Sequence, residues 1–261
     1  MSCHSARTSL ATRQLSVVNI KYFQPASPID ITVFMESLST SCQNYASLKH
    51  IYVAETTDPE DSDLVIPLSS EVFRPLLKFT GLLSVAFGSI GNYNLDDRFI
   101  NDIPDAWPGI HELKFASYRP ASCAVTFTAM VSLASRCRSL QSLYLTCSAT
   151  QSTIIPQAED GTEKFSPAQT ALRELHLGYS QVSEVARMPY ILAKVFLALS
   201  FLDWYHFFGS FDIENSSERA LEEVRYQLQV LQNLADPDDH DDIDDSDVEW
   251  EDDDDDAEDS E

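Results

Sequence analysis

The sequence predicts an α/β fold in which short parallel strands alternate with helices, and three observations support this. A Leu-x-x-apolar-x-apolar pattern, with Ile for Leu in one copy, recurs six times, and successive copies start 27 to 34 residues apart. A polar turn follows each copy, and a stretch with helical spacing of apolar residues usually follows the turn. Such units cannot bury their own apolar faces and must stack on one another. We therefore expect a leucine-rich-repeat solenoid with parallel strands on its concave face and helices on its convex face.

The six copies of the pattern define the expected strands. Because 44% of the residues are apolar, the pattern alone is weak evidence, and the helix-like stretches between the copies strengthen it. A seventh copy upstream fits Leu15–Val18–Ile20 and Val17–Ile20–Tyr22 equally well, so the register before Leu48 stays open. The six copies are Leu48–Ile51–Val53, Leu82–Val85–Phe87, Ile110–Leu113–Phe115, Leu140–Leu143–Leu145, Leu172–Leu175–Leu177 and Leu199–Leu202–Trp204.

Four stretches between the strands have the apolar spacing of helices. Asn94 is placed to cap the second of them, and Pro104 is expected to end it near Ile103. Thr126 or Thr128 is expected to start the third, and Pro189 lies in the first turn of the fourth, where proline is tolerated. The four stretches are residues 30–42, 95–103, 126–137 and 187–198.

A longer amphipathic helix is predicted at about residues 216–235. Asn215 is placed to cap it, and Glu218 follows three residues later as a capping-box partner. The helix carries one apolar stripe, formed by Leu221, Val224, Leu228 and Leu231. We expect this helix to cover the apolar end of the array, so that one repeat domain spans residues 1–235.

The last 26 residues form an acidic tail. The chain has 42 Asp and Glu against 17 Lys and Arg, a net charge of −25. Residues 236–261 hold 18 of the acidic residues and no Lys or Arg, which leaves a net charge of −7 on the first 235 residues. The like charges and low apolar content of the tail predict disorder. The tail is either a solvated terminus or an electrostatic arm for basic proteins. Ser246, with Asp247 and Glu249 beyond it, is a candidate phosphosite.

Charge and hydropathy exclude several classes of partner and location. A nucleic-acid or anionic-membrane surface needs clustered cations, which the repeat region lacks. Residues 190–208 are apolar, but Lys194, Asp203 and His206 interrupt them, so we expect a buried helix running into a buried strand. Five scattered cysteines without a CxxC pair, and no signal-peptide core, indicate an intracellular protein of the cytoplasm, the nucleus or both.

The motifs of catalysis and of metal or cofactor binding are missing from the sequence, so we expect no enzyme activity, cofactor or metal. A Glu174–His176 metal or catalytic pair would need ligands that the sequence does not identify. Strand alternation points the side chains between the core positions to the opposite face. That face is either a protein-binding surface or a solvated one. Its candidate binding residues are His50, Tyr52, Glu112, Lys114, Tyr144, Glu174, His176 and Asp203.

Four segments resemble the leucine-rich-repeat part of mushroom-type (basidiomycete) fungal F-box proteins. They read LLKFTGLLSVAFGS, NYNLDDRFINDIPDAWPGIHELKFA, VTFTAMVSLASRCRSLQSLYL and TALRELHLGYSQV. The resemblance covers roughly residues 76–234 and implies substrate recognition for a cullin-type ubiquitin ligase. The first 45 residues are expected to be repeat material and show no F-box, so binding of the ligase adaptor is expected only if an F-box lies upstream.

Two functional hypotheses follow. The first is a non-enzymatic protein–protein interaction scaffold, serving as the substrate-recognition part of an F-box type ubiquitin-ligase subunit as the resemblance implies. The alternative is an acidic-tailed leucine-rich-repeat binder of histones or other basic proteins, similar in layout to acidic leucine-rich nuclear phosphoproteins. Neither hypothesis identifies the partner.

Overall fold

A parallel sheet with helices along it forms the centre of the protein. The computed structural model describes residues 15–22, 28–42, 44–55, 67–117, 124–149, 169–182, 186–204 and 216–235. The strands of the main sheet are β1 Val17–Tyr22, β2 His50–Glu55, β4 Ser84–Gly88, β6 Glu112–Ala116, β7 Ser142–Leu145, β9 Glu174–His176 and β11 Phe201–Asp203. Their order in the sheet is their order in the chain, and all neighbours are parallel. The predicted α/β class with a parallel sheet is therefore confirmed.

Within the described ranges, the remaining elements are shorter strands and six α-helices. The short strands are β3 Pro67–Ser69, β5 Asn92–Asn94, β8 Ser148–Ala149 and β10 Gln181–Val182. The helices are α1 Pro28–Ser41, α2 Ser70–Phe73, α3 Asp97–Ala106, α4 Phe127–Arg136, α5 Met188–Val195 and α6 Ser216–Ala235, with a 3-10 helix at Arg74–Lys78. Among the described residues, no helix is long and apolar enough to cross a membrane.

The register of the main sheet aligns equivalent positions of the repeated pattern. A forked hydrogen bond fixes each step: the Leu83 carbonyl accepts from the His111 and Glu112 amides, at 2.8 and 3.3 Å. The carbonyls of Ser16, Lys49, His111, Gln141 and Arg173 make the same fork with the next strand. One buried apolar row results, running through Ile51, Val85, Leu113, Leu143, Leu175 and Leu202.

The strand β1 resolves the register that the sequence left open. Val18 pairs with Ile51, and Ile20 pairs with Val53. The seventh copy of the pattern is therefore Leu15–Val18–Ile20, and the alternative that started at Val17 is wrong. Val17 is 48% exposed, as expected for a side chain on the other face of the strand.

A second line of short parallel pairings, which we did not predict, runs beside the main sheet. β3 pairs with β5, and β8 pairs with β10. Two isolated bridges join the units between them, Asp96 to Ala124 and Thr126 to Ser148. The Asp97 carboxylate strengthens this contact by accepting from the Thr126 amide at 2.7 Å and the Thr126 hydroxyl at 2.9 Å. These pairings tie the starts of α2, α3 and α4 to neighbouring units.

Two predictions about α3 are wrong. Asn94 does not cap the helix, because it belongs to β5; the Asp96 carboxylate does, accepting from the Phe99 amide at 2.7 Å. Pro104 does not end the helix either, which continues to Ala106. Pro104 removes one backbone donor only two residues before the helix ends, and its ring is buried, which offsets that loss.

The other predicted helices are found with small changes at their ends. Thr126, not Thr128, caps α4 by accepting from the Ala129 amide at 3.1 Å. The predicted helix at 30–42 is α1, which starts two residues earlier. The predicted helix at 187–198 is α5, which ends at Val195 because Phe196 leaves the helical conformation. As expected, α5 is followed by a strand, β11, within residues 190–208.

The predicted C-terminal helix is α6, with the expected bounds. Leu221, Val224 and Leu228 are buried, and α6 packs against α5 and β10. The Gln232 side chain donates to the Leu199 carbonyl at 2.6 Å. Asn215, Ser246 and the whole acidic tail lie outside the described residues.

The same turn ends the helical part of four units. Phe79, Trp107, Cys137 and Phe196 are each fully buried, and each carbonyl accepts from the amide three residues later. Before β9, a buried Gln169 precedes Leu172 by the same three residues. Its side-chain nitrogen donates to the Leu140 carbonyl at 2.9 Å, and its side-chain oxygen accepts from the Leu172 amide. Gln169 thus joins two units through buried backbone groups.

We predict that Gln169→Leu lowers the free energy of unfolding by about 3 kcal/mol, because it leaves buried backbone groups without partners. Urea unfolding followed by circular dichroism measures the change. Gln141→Leu is the control, because Gln141 is exposed and the expected change is within about 0.5 kcal/mol. Equal unfolding midpoints for the two variants would contradict this role of Gln169.

Candidate functional site

One face of the main sheet brings the candidate binding residues together in two rows, and we call it the polar face. The pairing His50–Ser84–Glu112–Ser142–Glu174 forms the first row. The second row is Tyr52–Ala86–Lys114–Tyr144–His176–Asp203. Glu174 is exposed, and the other seven candidate residues are half-buried. All eight therefore lie on the face opposite the buried apolar row.

Four residues of the second row form a continuous stack, which we call the ladder. The Lys114 ammonium lies 4.8 Å from the centroid of the Tyr144 ring. The Tyr144 and His176 rings are stacked, with centroids 3.7 Å apart and planes 12° from parallel. His176 Nε2 lies 3.4 Å from the Asp203 carboxylate. Each contact joins neighbouring strands, so the ladder spans β6, β7, β9 and β11.

The protonation state of His176 follows from its two ring nitrogens. The Gly178 amide donates to Nδ1 at 3.0 Å, so Nδ1 accepts and Nε2 carries the proton that faces Asp203. Burial lowers the pKa of His176 to about 4; Asp203 opposes this shift, and Lys114 adds to it. His176 is therefore neutral near pH 7, although it lies beside a carboxylate.

Gly178 is a site residue that sequence reasoning missed. Its φ of +54° lies in the left-handed region, and a Cβ there would come within 2.3 Å of the Thr146 hydroxyl. This turn directs the Gly178 amide back at His176. The only signal in the sequence is a glycine two residues after the histidine, which by itself does not indicate such a contact.

The other candidate residues do not join the ladder contacts. The Ser84 hydroxyl donates to the Glu112 carboxylate in the first row. The His50 and Tyr52 rings lie parallel on β2, with centroids 6.1 Å apart. The His50 Nδ1 atom is buried without a hydrogen-bond partner among the described residues. β2 is separated from Lys114 by β4, so this pair forms a separate part of the polar face.

The polar face combines charged, aromatic and hydroxyl side chains on neighbouring strands. The ladder presents fixed side chains with defined donors and acceptors. Among the described residues, no group of three His, Cys, Asp or Glu side chains could hold a metal ion.

Behind the sheet, a cavity lined by Tyr93, Phe115 and Leu145, among others, has a volume of about 10 Å³, which is room for about one water molecule.

No protein-family model matches the sequence, and no curated protein matches it significantly.

We predict that His176 remains neutral until the pH falls to about 4. Its unfolded pKa is near 6.5, so protonation favours the unfolded chain between about pH 6.5 and pH 4. This histidine therefore stabilises the fold above pH 6.5, and its contribution, at most about 3 kcal/mol, is lost as the pH falls through this window. NMR titration of the His176 ring, with urea unfolding at several pH values, measures both effects.

His176→Gln is the control for this titration, because it removes the titrating group and should flatten the stability profile in the same window. A His176 resonance that titrates near pH 6.5 would contradict the assigned environment.

Proposed function

We propose that the protein is a non-enzymatic interaction scaffold, a leucine-rich-repeat solenoid that binds a protein partner through its polar face. The observation that carries the proposal is the ladder, in which four strands contribute one residue each to one continuous stack. The in-register parallel strands, with helices following them in successive units, support the solenoid.

Rigidity of the ladder supports binding at this face. Tyrosine is enriched among the residues that contribute most to protein interfaces, because its ring offers a large area for few rotatable bonds. Tyr144 is held between Lys114 and His176, so little further side-chain entropy is lost on binding. The resemblance to F-box proteins suggests the role of such binding, which would be recognition of a substrate for ubiquitination.

We predict that Tyr144→Ala weakens capture of the partner about tenfold or more, because it removes the ring at the centre of the ladder. Affinity purification with quantitative mass spectrometry, using the full chain as bait, identifies the partner and measures its recovery. A longer product of the same gene that co-purifies with a cullin-ligase adaptor would favour the ligase role.

Tyr190→Ala is the matched control, because Tyr190 on α5 also lies near a lysine ammonium, that of Lys194 at 5.4 Å, away from the polar face. Its side chain is 50% exposed, so its loss should leave both the fold and the captured partner unchanged. Equal loss of the partner with both variants, or with neither, would refute binding through the ladder.

The acidic tail supports a second candidate function, binding of histones or other basic proteins. The observation behind it is the 18 acidic residues without a Lys or Arg at 236–261. We predict that a chain ending at Ala235 loses histone capture in a pull-down at moderate salt, because the tail carries most of the net charge. Histone capture that survives this deletion would rule out the tail-driven function.

A further inference from the structure

The part of the polar face between β6 and β11 carries an excess of negative charge. Glu112, Glu174 and Asp203 supply three carboxylates, and Lys114 supplies one ammonium group. That ammonium already packs against the Tyr144 ring. His176 adds no positive charge near pH 7, because burial keeps it neutral. The accessible charges of this region are therefore mainly those of carboxylates.

The two carboxylates of the first row differ in their contacts and their exposure. In the first row, Glu112 and Glu174 are the partners of Ser142 on either side. Neighbouring strands lie about 4.8 Å apart, so the two glutamates are about 10 Å apart at the backbone. The Glu112 carboxylate accepts from the Ser84 hydroxyl, on the side away from Ser142, so the exposed carboxylate beside the short Ser142 side chain is that of Glu174. Asp203 lies in the second row, two residues further along the strands than the first row. Its side chain is 36% exposed at the end of the ladder.

The charge of the whole chain narrows the class of partner. A second copy would bring another net charge of −25 against this face, and nucleic acids and anionic membranes carry the same sign. The body without the tail also has a negative net charge, of −7. A partner surface with exposed arginine or lysine side chains has a charge complementary to that of the whole chain, of the body without the tail and of the polar face.

We propose that the polar face from β6 to β11 binds an arginine- or lysine-rich segment of a protein partner, with one cation at Glu174, beside Ser142, and a second at Asp203. This inference rests on the proposed function, because it assigns the chemistry of the partner to the same face. It is independent of the acidic tail, because the carboxylates concerned belong to the folded sheet.

The test uses the full chain, labelled with ¹⁵N, and a nine-residue peptide of alternating arginine and serine. A second peptide with citrulline in place of arginine keeps the shape of the side chain and removes its charge. We expect the arginine peptide to shift amide resonances at residues 112–114, 142–144, 174–176 and 201–203, and the citrulline peptide to leave them unchanged.

Variants in the full chain locate the binding carboxylates. The double variant Glu112→Gln, Glu174→Gln should weaken binding of the arginine peptide about tenfold, because it removes two of the three carboxylates and keeps the shapes of the side chains. The control is Glu36→Gln, Glu222→Gln, which removes the same charge from exposed positions of α1 and α6 and should change the affinity less than twofold. Thermal unfolding of both variants verifies that they are folded.

Three results would overturn the inference: resonance shifts confined to residues 236–261, equal binding of the citrulline peptide, or equal affinities of the two double variants. If any of these is found while partner capture still depends on Tyr144, the polar face is a binding site for a partner of different chemistry. If capture is also independent of Tyr144, the proposed function fails as well.

Discussion

The forked hydrogen bond at the start of each main-sheet strand is the interaction on which the rest of the structure depends. One carbonyl accepts from two successive amides of the next strand, as Leu83 does from His111 and Glu112. A shift of one residue at any of these forks would turn the apolar row outward and the polar row into the core. Burial of the apolar row and assembly of the ladder are therefore consequences of the same backbone contacts.

The sequence predicts the repeating part of this structure well. The repeat period and the strand alternation both determine which positions carry apolar residues. Positions such as Ile51 and Leu143 could be assigned to the core from spacing alone, and the opposite face followed from strand alternation. The predictions failed where a local side chain decides the outcome. Whether Asn94 or Asp96 caps α3 depends on backbone conformation, because both side chains can accept from a backbone amide.

The contacts within the candidate site were less predictable than its residues. Tyr144 and His176 could be placed on one face, but their stacking depends on the register between β7 and β9. The repeat pattern aligns the two strands but does not specify how two side chains on them contact each other. The same holds for Gln169, where a polar residue occupies a position that buried apolar residues fill in four other units. Its carbonyl partners lie about 30 positions away in the chain, at a distance that no local pattern reveals.

The backbone origin of the forks has a consequence for how the protein can change. Because the forks use only carbonyl and amide groups, strand pairing places no requirement on the side chains of the polar face. Apart from His176, whose burial makes stability depend on pH, those side chains can be replaced one at a time while the apolar row keeps the scaffold intact. Duplicated copies of such a gene could therefore acquire different partners through few substitutions, each confined to one position of one strand.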